Sequence, residues 1–157
     1  MKGNAKVLEL LNHALSEELT AINQYFVHAE MCENWKYEKL GESIKKQSID
    51  EMKHAEKLIE RILFLEGSPN MTEPMKLTVG ATVRDMLASD LKLEEGAVVM
   101  YNTAVKQSRE LNDNVSADLF AKLLADEEGH ADWLDAQLHL IKEIGYERYL
   151  SQQLKEE

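Results

Sequence analysis

Ser48-Ile49-Asp50-Glu51-Met52-Lys53-His54-Ala55-Glu56 is the stretch from which the rest of the chain is best read. On a helix Glu51 and His54 lie one turn apart on the same face, so a carboxylate and an imidazole can reach one metal ion. The pattern returns at Asp126-Glu127-Glu128-Gly129-His130, and an offset of 76 residues carries both Glu51 onto Glu127 and His54 onto His130. The same offset carries Leu11 onto Leu87, Leu15 onto Leu91, Glu18 onto Glu94 and Tyr25 onto Tyr101. The chain therefore reads as two similar helical hairpins.

Outward from this stretch, apolar residues recur at alternating steps of three and four. From about 4 to 33 the seam is Leu8, Leu11, Leu15, Ile22, Tyr25 and Ala29 with Glu18 in its middle, a bundle-type stripe. A second helix to about 66 carries Leu40, Ile44, Glu51, His54, Leu58, Ile62 and Leu65, with Gly67 and Pro69 as its stop. Both prolines, Pro69 and Pro74, fall in the one long stretch without helical periodicity, which reads as a crossover. Thr82 with Asp85 caps a third helix whose seam is Leu87, Leu91, Glu94, Val98, Tyr101 and Val105. After the turn Asn112-Asp113-Asn114, a fourth helix shows Phe120, Leu123, Glu127, His130, Leu134, Leu138 and Ile141, ends near Gly145, and leaves a tail for a short fifth. The expected fold is all-α, a four-helix bundle with a long crossover between helices two and three, in a single domain over 1–157.

Every seam is interrupted near its middle by Glu, and two carry His three positions later. Four unpaired carboxylates buried in one interior would cost several kcal/mol apiece unless protonated or matched by cations. Two divalent ions match them, with both imidazoles neutral. Four carboxylates and two imidazoles suit iron or manganese better than a thiolate-seeking metal. One Glu from each of two helices plus Glu-x-x-His from each of the other two is a known ligand arrangement of ferritin-like di-iron and di-manganese bundles.

Composition narrows the function classes. With 18 basic and 29 acidic residues the formal charge is −11, which attracts cations and argues against nucleic acid as a partner. A single cysteine, Cys32, forms no internal disulfide, and no apolar run approaches the roughly 18 residues of a membrane span. The start Met1-Lys2-Gly3-Asn4 lacks a signal-peptide core, so the expectation is a cytoplasmic protein without membrane contact.

Asn23-Gln24-Tyr25-Phe26, the stretch from Ser48 to Ala55, Arg61-Ile62-Leu63-Phe64-Leu65-Glu66-Gly67 and Asp126-Glu127-Glu128-Gly129-His130 resemble the bacterioferritins, and the similarity covers essentially the whole chain. The resemblance implies a ferritin-like bundle with a short C-terminal fifth helix. It also implies iron storage, with ferroxidase activity oxidising Fe(II) by dioxygen or hydrogen peroxide. The assembly it implies is a closed homo-oligomeric cage of about 24 subunits, with haem at two-fold interfaces and a ferredoxin-type reductant. Residue by residue, Glu18 and Glu94 correspond to the terminal carboxylates, Glu51 and Glu127 to the bridging ones, and His54 and His130 to the imidazole ligands of the di-iron centre. Met52 corresponds to the haem axial ligand. Lys45-Lys46-Gln47 departs from the family's Tyr-His-Glu, and a cationic Lys46 does not replace the imidazole of its inner-surface iron site.

Other residues carry smaller expectations. Asp126 and Asp50 are candidates to accept the second ring hydrogen of a ligating His. Tyr25 and Tyr101 lie two turns beyond Glu18 and Glu94, where a hydroxyl could contact the site or supply an electron; core packing with a satisfied hydroxyl is the stronger expectation for Tyr101. Gly96 and Gly129 suggest close packing beside the metals, and His13, His28 and His139 suggest surface or inter-subunit positions. Trp35 and Trp133 read as helix-packing residues. A di-iron oxygenase or peroxidase acting on another substrate is the alternative function; a rubrerythrin-like carrier would need more than one cysteine.

Overall fold

The structure is a computed structural model that describes residues 1–155. Its elements in chain order are α1 (Ala5–Asn34), α2 (Glu38–Phe64), α3 (Val83–Glu110), α4 (Asn114–Ile144) and the short α5 (Tyr146–Ser151). No strand occurs among the described residues, and no helix there is long and apolar enough to cross a membrane. Helix α1 packs on α2, and α3 on α4, with an extended crossover joining the two hairpins.

Helix starts follow from side-chain caps. Asn4 accepts from the amides of Lys6 and Val7, Thr82 from that of Asp85, and Asp113 from that of Ser116. The ends are more unusual. Lys36, Glu66 and Asn112 take positive φ (71°, 61° and 61°) just past α1, α2 and α3. The amides of Tyr37, Gly67 and Asp113 then reach back to the carbonyls of Cys32, Ile62 and Ser108, which is the Schellman pattern without glycine at its left-handed position. Glu66 thus turns the chain where Gly67 was expected to. Gly67 lies close against α1, where a Cβ would stand 2.5 Å from Leu8 Cδ2 and oblige that side chain to shift. Between α4 and α5 the expected glycine does the turning, with Gly145 at φ 89°.

The interior forms two apolar clusters with a polar layer between them. One gathers Val7, Leu11, Leu15, Leu58, Ile62, Phe120 and Leu123. The other gathers Tyr25, Ala29, Leu40, Ile44, Met86, Leu87, Leu134 and Ile141, and is closed by Tyr149 of α5. Each fully buried Leu, Ile or Phe contributes about 1.5–3 kcal/mol, so helix pairing does not depend on the polar layer. Glu18, Glu51, Glu94 and Glu127 lie in that layer, none more than 2% exposed.

The buried stripe of α1 differs from the expected seam in one respect. Val7, Leu11, Ala14, Glu18, Ala21, Tyr25, His28 and Cys32 are all buried, an unbroken alternation of four and three, whereas Leu8 and Ile22 sit at its edge. On α3 the corresponding shift buries Asp90 in place of Leu91. His28, expected at a surface or subunit contact, is therefore wholly internal. Its Nδ1 lies 2.9 Å from Asp90 Oδ1, which also accepts from Gln24 at 2.8 Å. The amide of Gly80 donates to His28 Nε2 and that of Thr78 to Gln24 Oε1, so this cluster pins the end of the crossover. A neutral ring protonated at Nδ1 satisfies both of its contacts.

Candidate metal centre

All six residues singled out by the Glu-x-x-His repeat and the mid-seam carboxylates converge. Glu18, Glu51, His54 and Glu127 present ligand atoms within 4.8 Å of one another, and Glu51, Glu94, Glu127 and His130 do the same. The two groups share Glu51 and Glu127. One belongs to α2 and the other to α4, so the shared pair spans the bundle while Glu18 of α1 and Glu94 of α3 complete opposite ends.

The hydrogen bonds sort each side chain into an anchored half and an open half. Tyr101 Oη donates to Glu18 Oε1 at 2.6 Å, and Tyr25 Oη donates to Glu94 Oε1. Glu18 Oε2 and Glu94 Oε2 are buried without any hydrogen-bond partner. Both tyrosines reach across to the other hairpin, and Tyr101 packs in the core with its hydroxyl satisfied at the site. Burial first, then the Glu94 and Glu18 charges respectively, push Tyr25 and Tyr101 well above the usual phenol range and keep them as donors.

The imidazoles are oriented in the same crossed fashion. His54 Nε2 is 2.9 Å from Asp126 Oδ2, and His130 Nε2 is 3.3 Å from Asp50 Oδ2, each aspartate lying on the opposite hairpin. A hydrogen on Nε2 held by carboxylate would leave the Nδ1 lone pair facing the cluster once a metal ion displaces the hydrogen on Nδ1. His54 Nδ1 lies 2.8 Å from Glu127 Oε1, 3.4 Å from Glu51 Oε1 and 3.5 Å from Glu18 Oε2. His130 Nδ1 lies 3.0 Å from Glu51 Oε1, yet the approach is out of line and neither atom makes a hydrogen bond. The two rings stack with centroids 6.3 Å apart.

Electrostatics show how much positive charge this layer demands. Burial raises the carboxyl of Glu18, and burial together with neighbouring carboxylates or hydrogen bonding lifts Glu51 and Glu94 well above the ordinary range. For Glu127 burial also acts upward, but the neighbouring Glu94, His130, His54 and Glu51 side chains outweigh it and hold the group low. Burial lowers both imidazoles, and their carboxylate partners overcome it, holding His54 up to about 11 and His130 up to about 10. Lone pairs without partners, four carboxylates and two oriented imidazoles fit a pair of divalent ions better than any arrangement of protein donors.

Other expectations are corrected or set apart. Gly96 and Gly129 are exposed, and a Cβ on either would meet nothing within 4 Å, so close packing does not explain them. Met52 is 50% exposed on the outer side of α2, away from the six-residue cluster, and Ile49 (43%) and Phe26 (52%) are apolar and exposed too. Trp35 is 37% exposed, whereas Trp133 packs against the second apolar cluster. The Asp50 and Asp126 contacts were legible only as one-residue neighbours of the ligands, and the Tyr101 contact only through its repeat with Tyr25.

Comparison with known proteins agrees with the helical fold. The model of the ferritin-like domain matches residues 8–144. A bacterioferritin of Brucella melitensis is 47% identical over 149 residues, covering 95% of this chain and 92% of its own. One of Rhodobacter capsulatus is 46% identical over 145 residues (92% and 90%), and one of Mycobacterium leprae 44% over 152 residues (97% and 96%). The chain thus belongs to the ferritin-like family and, within it, to the bacterioferritins.

Proposed function

We propose that this protein stores iron and is a ferroxidase, oxidising Fe(II) to Fe(III) at a di-iron centre formed by Glu18, Glu51, His54, Glu94, Glu127 and His130. The observation that carries this reading is the pair of ligand sets sharing Glu51 and Glu127 around buried atoms that lack partners. Iron held as a pair supplies two electrons at once to dioxygen or hydrogen peroxide, which avoids a one-electron oxygen radical. The protein's own part is positional. Glu51 and Glu127, common to both ligand sets, would hold both ions, Glu18 and Glu94 would offer the Oε2 that their tyrosines leave free, and Asp126 and Asp50 hold each ring with Nδ1 inward. Two divalent ions against four carboxylates give zero net charge, so Fe(II) binds without uncompensated charge in a dry layer.

Membership of the bacterioferritins supports storage in a multi-subunit assembly, which we take as a homo-oligomeric cage of about 24 copies built on symmetric contacts. A cytoplasmic location and a ferredoxin-type reductant for iron release complete the proposal. Haem belongs to the same reading. Met52 offers a soft thioether on an apolar outer face, and a two-fold axis would bring a second Met52 to the other side of the ring. An inner-surface iron site is not part of it: Lys46 is an exposed cation, and Asp50 is engaged by His130. The oxygenase alternative has less support, because apolar side chains fill the bundle on both sides of the polar layer.

Anaerobic loading with Fe(II) followed by air is the test. Ferric product held in a large particle is expected; slow oxidation at the rate of free Fe(II), or a particle no larger than a dimer, would contradict the reading. For haem, protein from cells supplied with it should show a haem spectrum that Met52→Leu loses while ferroxidase activity stays. Stoichiometric haem with an unaltered axial-ligand spectrum in Met52→Leu would exclude that assignment.

A further inference from the structure

Glu18 and Glu94 are each fixed from the far side of the bundle. From Glu18 to Tyr25 along α1, the hydrogen-bonded partner on α3 runs back from Tyr101 to Glu94, so the two helices lie antiparallel and the two bonds cross between them. A glutamate's terminal torsion is soft and roughly two-fold, and Glu18 Oε2 and Glu94 Oε2 make no hydrogen bond. The tyrosine hydroxyl therefore sets the plane of each carboxylate. Both rings are wholly buried. Tyr101 lies in the first apolar cluster with its ring centroid 6.0 Å from that of Phe120, and Tyr25 lies in the second cluster. Held in this way, Glu18 places Oε2 3.5 Å from His54 Nδ1, and Glu94 places Oε1, the oxygen bonded to Tyr25, 3.6 Å from His130 Nδ1.

We infer that Tyr101 and Tyr25 are positioning residues that control the two metal positions in crossed fashion: Tyr101 governs how tightly the Glu18–His54 position holds its ion, and Tyr25 governs the Glu94–His130 position. Such control presupposes the di-iron reading above and adds a division of labour within that site. Spacing alone would attach Tyr25 to Glu18, two turns away on the same helix, and Tyr101 to Glu94; the hydrogen bonds attach each to the carboxylate of the opposite hairpin. At 2.6 Å the Tyr101 bond has the short length of a hydroxyl–carboxylate contact, so Glu18 keeps one orientation before an ion arrives. A ligand ordered beforehand loses less freedom when it binds. Neither hydroxyl bonds to Glu51 or Glu127, the ligands common to both sets, so removing one hydroxyl should cost affinity at one position and spare the other.

The test soaks crystals of the full-length protein with Co²⁺ alone, below saturation, and compares the two anomalous peaks. Tyr101→Phe keeps the ring against Phe120 and should lower the Glu18–His54 peak relative to its neighbour, with a loss in affinity at that position of about tenfold or more, the order expected when an outer partner of a metal ligand is removed. Tyr25→Phe should instead lower the Glu94–His130 peak. Titration with Co²⁺ in solution, followed by its absorption, should show one weakened step of two in each variant. A merely structural role would weaken both positions or neither. Peaks indifferent to the tyrosines, peaks lowered alike, or the uncrossed pattern in which Tyr25→Phe weakens the Glu18–His54 position, would overturn the crossed control and leave the di-iron reading standing. Neither peak in the unaltered protein would contradict the di-iron reading, and the crossed control with it.

Discussion

Helices α1 and α3 carry two buried polar clusters, one around Glu18 and Glu94 and one around His28 and Asp90. In the second, a single carboxylate faces two donors, Gln24 and His28, and the other nitrogen of His28 accepts the Gly80 amide. Only Asp90 Oδ2 is left over. In the first, four carboxylates meet two imidazoles, and Glu18 Oε2, Glu51 Oε1, Glu94 Oε2, Glu127 Oε2 and His130 Nδ1 all lack hydrogen bonds. Both clusters are equally dry, so burial does not distinguish them. What does is the surplus of lone pairs and carboxylates that remains around Glu18 and Glu94 after the Tyr101 and Tyr25 hydroxyls have donated.

Arg61 and Asp113 extend the contrast. There the bundle supplies its own cation, with Arg61 Nη2 3.0 Å from Asp113 Oδ1 and its Nε bonded to Ser116. Burial alone would raise Asp113, but Ser116 and the Arg61 charge prevail and lower it. A carboxylate paired with a protein cation is thus held low, whereas Glu51 and Glu94 are pushed upward.

The largest effect should come from breaking the surplus itself. Glu127→Ala removes a carboxylate common to both ligand sets, and stopped-flow oxidation of Fe(II) should slow by about 100-fold or more, the upper end of what disturbing a metal site costs. Stability should hold or rise, since a buried charge is removed. Unchanged initial rates in Glu127→Ala would count against catalysis at this centre. The His28 cluster should respond the other way. His28→Ala leaves Asp90 buried without its ring partner and frees the Gly80 amide, so urea denaturation should show a loss of about 3 kcal/mol with the initial oxidation rate kept. A fall in rate without loss of stability would mean the two clusters are not separate in function.

How legible each cluster was follows from its chemistry. The metal layer announces itself because a repeated Glu-x-x-His and two mid-seam carboxylates put six metal-ligating types at helical spacing, and burying them without cations is too costly to be incidental. His28 gives no such signal: a lone histidine outside any repeated acidic pattern reads as surface or inter-subunit. The clue was the alternation through Ala14, Ala21 and His28, which small alanines hide because they weigh little in a hydrophobic pattern. The left-handed residues Lys36, Glu66 and Asn112 escaped for a different reason, since tertiary packing and two returning hydrogen bonds override the preference for glycine. Likewise, the exposure of Gly96 and Gly129 depends on the outer surface of α3 and α4, which sequence spacing does not report.

The most direct test of the comparison is a crystal structure after anaerobic Fe(II) soaking, with anomalous scattering at the iron edge. The account predicts two ions about 3.5–4 Å apart, bridged by Glu51 and Glu127. Glu18 and His54 should bind one, Glu94 and His130 the other, and no iron should lie beside Asp90. Ions in separate regions of the bundle, or a cluster that takes no metal while its carboxylates find protein donors, would contradict it.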